Sequence, residues 1–271
     1  MEEYILVHFK ATAQTTAILE AFLMDIDFEG IEEKDEETVA SIPKSLFDEI
    51  ATAAIFQQFE VAYVLEVVKQ QNWNAQWESS FEPVVVDDFV SIRASFHLPV
   101  SNVAHEIIIT PKMSFGTGHH ATTFLVMKEM GSIDFKEKTV IDFGTGTGVL
   151  AILAEKLGAK SILGIDNDDW SITNALENIA SNNCHSIRLV KEDGMVVEEK
   201  ADVILANINL NVIIANMALI RETCLPGAIL ILSGLMSNDE EQIRQILVLH
   251  QFEVKNLATK NNWIAIKAKM I

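Results

Sequence analysis

A glycine-rich turn, an acid one strand later and an asparagine ending another strand are the residues of this chain best suited to hold a ligand. Val140 to Gly148 reads Val-Ile-Asp-Phe-Gly-Thr-Gly-Thr-Gly, and Val149 to Leu157 continues with apolar residues at helical spacing, which gives strand, tight turn, helix. Glycines there permit positive φ and close approach of a ligand to the main chain, while the unpaired amides at the helix start favour polar or anionic groups. Asp166 follows Gly144 by twenty-two residues, ending the apolar run Ser161 to Ile165. An acid at the tip of the next parallel strand can take both hydroxyls of a ribose. The glycine spacing leaves the cofactor open. Counted from Gly144, a dinucleotide fingerprint lacks a glycine at Val149; counted from Gly146 it reads G-x-G-x-x-A with Ala151, a permitted variant.

A second dense stretch precedes the turn: Phe115-Gly-Thr-Gly-His-His-Ala-Thr-Thr123, followed by the helical pattern Phe124 to Met130 and stopped by Gly131. Capping chemistry accounts for Thr122 and Thr123 alone but not for this density of Gly, Thr and His, so the loop is expected to fold back over a bound ligand.

These residues need a scaffold that brings distant strand ends together. After the first helix, strands recur at Ile187 to Lys191, Asp202 to Ala206 and Ala228 to Ser233, with helical segments Trp170 to Ala180, Val212 to Cys224 and Glu240 to His250 between them. This is a doubly wound α/β pattern, whose ligands bind beyond the carboxyl ends of the strands. Gly144, Asp166, Asp193 and Asn207 are therefore expected to converge. Phe252 to Leu257 and Trp263 to Lys267 read as a closing antiparallel pair, a departure from the nicotinamide-binding pattern.

The N-terminal part has a different rhythm. Strand-like Tyr4 to Phe9, helical Thr15 to Met24, strand-like Phe28 to Glu32 and Thr38 to Ile42, a helix opened by Pro43 and running to Phe56, and strand-like Phe59 to Val68 follow the order of a ferredoxin-like α+β module. The expected organisation is a small domain over 1–69, a linker helix over 70–81 with Trp73 and Trp77 on one face, and a large domain over 82–271, with Val84 to Val86 pairing with Phe89 to Phe96.

Composition narrows the function classes. The 271 residues are 49% hydrophobic with a net charge of −19. Residues 1–80 hold 16 acids against 4 bases, an excess that repels phosphate backbones and steers a basic protein toward this end, so direct nucleic-acid binding is not expected. No apolar run reaches membrane-spanning length and the start lacks a signal-peptide pattern, which points to a cytoplasmic protein. Cys184 and Cys224 have no metal-ligand spacing, so no metal site is expected and both read as buried thiols.

Taken together, the motifs F-G-T-G-H-H-x-T-T (Phe115 to Thr123), V-I-D-F-G-x-G-x-G (Val140 to Gly148), G-I-D-x-D (Gly164 to Asp168), A-N-I (Ala206 to Ile208) and L-S-G (Leu232 to Gly234) resemble the PrmA family of class I S-adenosylmethionine-dependent methyltransferases. These act on the eleventh protein of the large ribosomal subunit. The resemblance implies a seven-stranded sheet with its last strand antiparallel, S-adenosylmethionine contacts at Phe115, Thr123, Gly144, Gly146, Asp166 and Asn207, substrate recognition by the N-terminal module, and a basic ribosomal protein as partner. Thr145 and Thr147 stand where that family often has Cys and Ser, and Asp169 replaces a common Pro. Asn207 can accept a hydrogen bond from an incoming amine but is no base. His120 is the nearby candidate for proton traffic, and can equally cap the helix or order the cofactor. The Ile208-Asn209-Leu210 continuation lacks the Pro-Pro-aromatic run of transferases acting on nucleobases or glutamine, which favours an aliphatic amine. A small-molecule amine methyltransferase and a nicotinamide-dependent oxidoreductase are the alternatives.

Overall fold

The computed structural model describes residues 3–34, 37–69, 82–111, 118–196 and 200–271. The chain divides into two compact units, Met1–Phe81 and Glu82–Ile271. The expected linker helix over 70–81, with Trp73 and Trp77, lies outside the described residues, as does Phe115.

In the first unit β1 (Glu3–Phe9), β2 (Gly30–Lys34), β3 (Glu37–Pro43) and β4 (Tyr63–Lys69) form an antiparallel sheet in the order β2-β3-β1-β4. Helices α1 (Ala13–Met24) and α2 (Glu49–Gln58) connect the strands, as in a ferredoxin-like module. Its core is Val7, Phe9, Leu19, Leu23, Ile42 and Phe56, with the Phe9 and Phe56 rings edge to face at 5.1 Å. One boundary differs from the sequence reading. Pro43 ends β3 instead of opening α2, which starts where the Asp48 side chain accepts from the amides of Ile50 and Ala51. An extended proline is compatible with a strand end, and the aspartate supplies the cap that proline does not.

The second unit opens with a three-stranded sheet of β5 (Val84–Val86), β6 (Val90–Ala94) and β7 (His105–Ile109), followed by α3 (Ala121–Met130). The main sheet comprises β8 (Thr139–Phe143), β9 (Ser161–Asp166), β10 (Ile187–Lys191), β11 (Ala201–Asn207), β12 (Cys224–Met236), β13 (Phe252–Lys260) and β14 (Trp263–Met270). Between them lie α4 (Val149–Lys156), α5 (Asp169–Ser181), α6 (Leu210–Thr223) and α7 (Glu240–Leu249). The strand order is β10-β9-β8-β11-β12-β14-β13, parallel except that β14 runs against both of its neighbours. The last strand is thus inserted inside the sheet, next to β12, and not added at its edge.

Why this sheet forms is legible in its strands. Val140, Ile141, Ile162, Leu163, Val203, Ile204 and Leu205 are all buried, as continuous apolar runs are when helices cover both faces of a parallel sheet. Each such side chain contributes about 1.5–3 kcal/mol by leaving water. Helix starts are set by short polar side chains. Asp168 accepts from Ser171 N at 2.9 Å to begin α5, and Asn209 accepts from Val212 N at 3.1 Å to begin α6. Among the described residues, no helix is long and apolar enough to cross a membrane. Both cysteines are buried, and burial pushes their thiols up to about 11 at Cys184 and about 12 at Cys224.

Candidate functional site

The order reverses between β8 and β11, and a cavity of about 620 Å³ opens at the carboxyl ends of these strands. The glycine turn forms its floor. Gly144 N and Thr145 N both donate to Ile165 O, at 2.8 and 2.9 Å, tying the turn to the tip of β9. Gly144, Gly146 and Gly148 have φ of 78°, 53° and 78°, a region that penalises other residues. Gly144 lines the cavity with its main chain, while the space facing its absent side chain is filled by Ile208. A Cβ there would lie 2.1 Å from Ile208 Cγ2, so glycine at this position admits Ile208.

Asp166 lines the cavity and its carboxylate is already held. Oδ2 accepts from Gly146 N at 2.8 Å, and Oδ1 accepts from Asp168 N at 3.1 Å. Each oxygen retains acceptor capacity toward the cavity. Glu192 and Asp193, on the segment after β10, face the same space. Glu192 N donates to Asp166 O at 2.9 Å, and Asn216 of α6 accepts from Met195 N at 2.9 Å, which fixes the segment from both sides. Three carboxylates on one wall favour a ligand carrying positive charge and disfavour a pyrophosphate.

Beneath the turn Asp142 is fully buried. Burial pushes its carboxyl up to about 7, against the opposing pull of hydrogen bonds from the Thr145 hydroxyl, at 2.7 Å, and the Ala151 amide, while the nearby Asp166 charge adds to the rise.

Asn207 ends β11 on the opposite wall. Its Nδ2 donates to Thr123 Oγ1 at 3.2 Å, and its Oδ1 is buried without a hydrogen-bond partner among the described residues. Thr123 is itself buried in the first turn of α3 and does not line the cavity. It orients the amide so that the unpaired acceptor is Oδ1. The next residue, Ile208, is wedged between two glycines. Its side chain meets Gly144, and its backbone meets Gly234, where a Cβ would stand 2.2 Å from Ile208 O. Gly234 has φ of 81°, and Ile208 N donates to Ser233 O at 3.2 Å.

His120 caps α3. Its Nδ1 accepts from Thr122 N at 3.4 Å and lies 2.7 Å from the Thr122 hydroxyl, while its ring meets Trp263 edge to face at 4.7 Å. Both rings line the cavity. Trp263 was not singled out by sequence reasoning as a site residue, although a signal for it exists. Asn261 and Asn262, with φ of 49° and 64°, make a tight hairpin. Because β14 is reversed, its first residue lies at the carboxyl ends of the parallel strands, with Trp263 opposite Met236. The structure thus brings Gly144, Gly146, Asp166, Asp193, Asn207 and His120 to one cavity, with Thr123 directly behind Asn207.

Comparison with known proteins agrees with this architecture. A family model described as ribosomal protein L11 methyltransferase (PrmA) matches residues 7–270. The chain is 35% identical over 258 residues to the ribosomal protein L11 methyltransferase of Phocaeicola vulgatus, covering 92% of each. It is 36% identical over 258 residues to that of Porphyromonas gingivalis, covering 92% of this chain and 89% of the relative. Among solved structures, the ribosomal protein L11 methylase from Lactobacillus delbrueckii subsp. bulgaricus superimposes with a TM-score of 0.66 at 30% identity, over 70% of this chain and the whole of that one.

Proposed function

The chain belongs to the ribosomal protein L11 methyltransferase (PrmA) family, and from that premise we propose that it transfers methyl groups from S-adenosylmethionine to amino groups of ribosomal protein L11, on lysine side chains, the N-terminal amine, or both. The observation that carries this reading is the meeting of Gly144, Gly146, Asp166 and Asn207 around one cavity at the carboxyl ends of the parallel strands.

The residues fit the cofactor. The cavity volume lies in the range of sites that enclose a ligand of this size. Asp166, braced by Gly146 N–H, accepts from the two ribose hydroxyls. The acidic wall suits a cation, and Gly144 and Gly146 form the floor beneath it. Phe115 belongs to the proposed contact set by resemblance and lies outside the described residues. When bound, S-adenosylmethionine supplies an electrophilic methyl group on a sulfonium.

What remains for the chain is to position a neutral amine and exclude water. Deprotonating a lysine of reference pKa near 10.4 costs about 4–5 kcal/mol at pH 7, and an α-amino group about 1. Asn207 Oδ1 accepts one N–H of the neutral amine and aims its lone pair, with Thr123 fixing the amide orientation. The His120 ring, at the cavity wall, is placed for proton traffic once the nitrogen has become cationic. Residues 1–69 recognise the protein substrate, their acidic excess attracting a basic partner, and the enzyme works in the cytoplasm.

Incubating the full chain with radiolabelled S-adenosylmethionine and purified ribosomal protein L11 tests the reading. Label on L11 amines is expected. Label appearing on free alkylamines in preference to L11 overturns the substrate, and absence of cofactor uptake in calorimetry overturns the whole reading.

A further inference from the structure

Three asparagines, Asn174, Asn178 and Asn182, repeat every four residues along α5 and its C-cap and so share one face. Asn182 pairs with β7 as another strand would. Its Nδ2 donates to Ile108 O at 2.6 Å, and its Oδ1 accepts from Ile108 N at 3.0 Å. β7 is an edge strand that pairs with β6 on one side only, and Asn182 takes up backbone groups of Ile108 at that edge. One turn earlier, Asn178 divides its amide between two segments. Its Oδ1 accepts from Thr110 N at 2.8 Å, just beyond β7, and its Nδ2 donates to Thr147 O at 2.8 Å, inside the glycine turn.

Thr147 sits between Gly146 and Gly148, both left-handed, and is fully buried in the turn. Gly146 is also the residue whose N–H braces Asp166. Asn178 is fully buried and does not line the cavity, so it acts on the turn from behind, with no water competing for its bonds.

We infer that Asn178 is a positioning residue of the cofactor site: it locks the glycine turn to the end of β7, keeping Gly146 N–H aimed at Asp166. This rests on reading the cavity as the S-adenosylmethionine site. Asn182 provides the comparison, because its amide bonds β7 and the Asn178 carbonyl, at 2.8 Å, but among the described residues makes no bond to the turn.

The experiment compares Asn178→Asp and Asn182→Asp in the full chain, measuring S-adenosylmethionine affinity by calorimetry, turnover at saturating cofactor, and thermal unfolding. Asn178→Asp keeps the acceptor for Thr110 N but sets an oxygen against Thr147 O. Its Kd is expected to rise about tenfold or more, with saturated turnover falling less than about threefold. Asn182→Asp is expected to lower the melting temperature yet leave Kd within about twofold. If Asn178→Asp does not fold, Asn178→Ser and Asn182→Ser, which remove the bonds without adding charge, make the same comparison. Equal weakening of cofactor binding by the two positions overturns the positioning role while leaving the cofactor assignment intact. A wild-type chain that takes up no S-adenosylmethionine overturns both.

Discussion

The two ends of the cleft are built on opposite plans. At the Asp166 end, every polar group of the carboxylate is braced by backbone amides of the protein itself, and the turn beneath is tied to β9 and α5. At the Asn207 end, one amide atom is anchored to Thr123 and the other is left buried and unpaired. A buried acceptor without a partner costs about 1–3 kcal/mol, so the fold retains at this end a destabilisation that an incoming N–H relieves. The difference separates holding from reacting. On the proposed function, the braced end presents acceptors that are already oriented, and the open end gains a donor for Asn207 when the acceptor substrate is present.

The first way to break this comparison is through the glycines that support the Asn207 end. Gly234→Ala sets a methyl against Ile208 backbone at positive φ and is expected to cost about 3 kcal/mol or more, whereas Gly144→Ala meets the Ile208 side chain. Both glycines have positive φ, which strains either alanine, so adding Ile208→Ala should recover the part of the loss in Gly144→Ala that comes from the clash and none of that in Gly234→Ala, as read by thermal melting. Equal rescue would mean that Ile208 is not held as described.

At the braced end, Asp166→Ala removes a charged acceptor and strands Gly146 N–H. S-adenosylmethionine Kd should rise about 100-fold, with a smaller change in turnover at saturation. At the open end the pattern should invert. Asn207→Ala is expected to lower kcat about 10–100-fold, with Thr123→Val following it more weakly and Thr123→Ser near wild type. If Asn207→Ala acts on Kd alone, the two ends do not differ in kind.

Asp142 sharpens the comparison through pH. Burial raises its folded pKa to about 7, above an unfolded value near 4, so the folded state keeps a proton that the unfolded chain releases. The resulting destabilisation is absent below about pH 4, grows as pH rises and is complete above about pH 7. Asp142→Asn should therefore flatten the fall in melting temperature between pH 5.5 and 8. A parallel slope in both proteins would place the titration elsewhere.

The smallest effect is expected at Asn174, which is fully buried with neither amide atom paired among the described residues. Asn174→Leu removes this unsatisfied group at similar volume and should leave the melting temperature unchanged or raise it by a few degrees. A large loss would show that the amide has a partner in solution.

Much of this molecule was legible in its sequence because local signals and tertiary roles coincide. Asp166 and Asn207 end apolar strands and Asp193 follows the end of β10, and strand ends converge in a parallel sheet, so their meeting follows from order alone. The family motifs added the ligand. What stayed hidden depends on long-range fit. The contact of Ile208 with Gly144 and Gly234 joins residues from three strand ends, and no periodicity encodes it. Trp263 was hidden for a different reason: it reads as the first residue of an ordinary strand until the reversal of that strand places it at the cleft. Pro43 misled because a proline suits both a helix start and a strand end, and only the cap at Asp48 distinguishes them.

The placement of β14 has a consequence for biogenesis. β13 leaves the ribosome before the strand that joins it to β12, and so emerges with no neighbour in the sheet. The same late strand delivers Trp263 to the wall beside His120. The strands that carry the glycine turn and Asp166 precede β14 in the chain, so the wall made by His120 and Trp263 is complete only when β14 docks between β12 and β13.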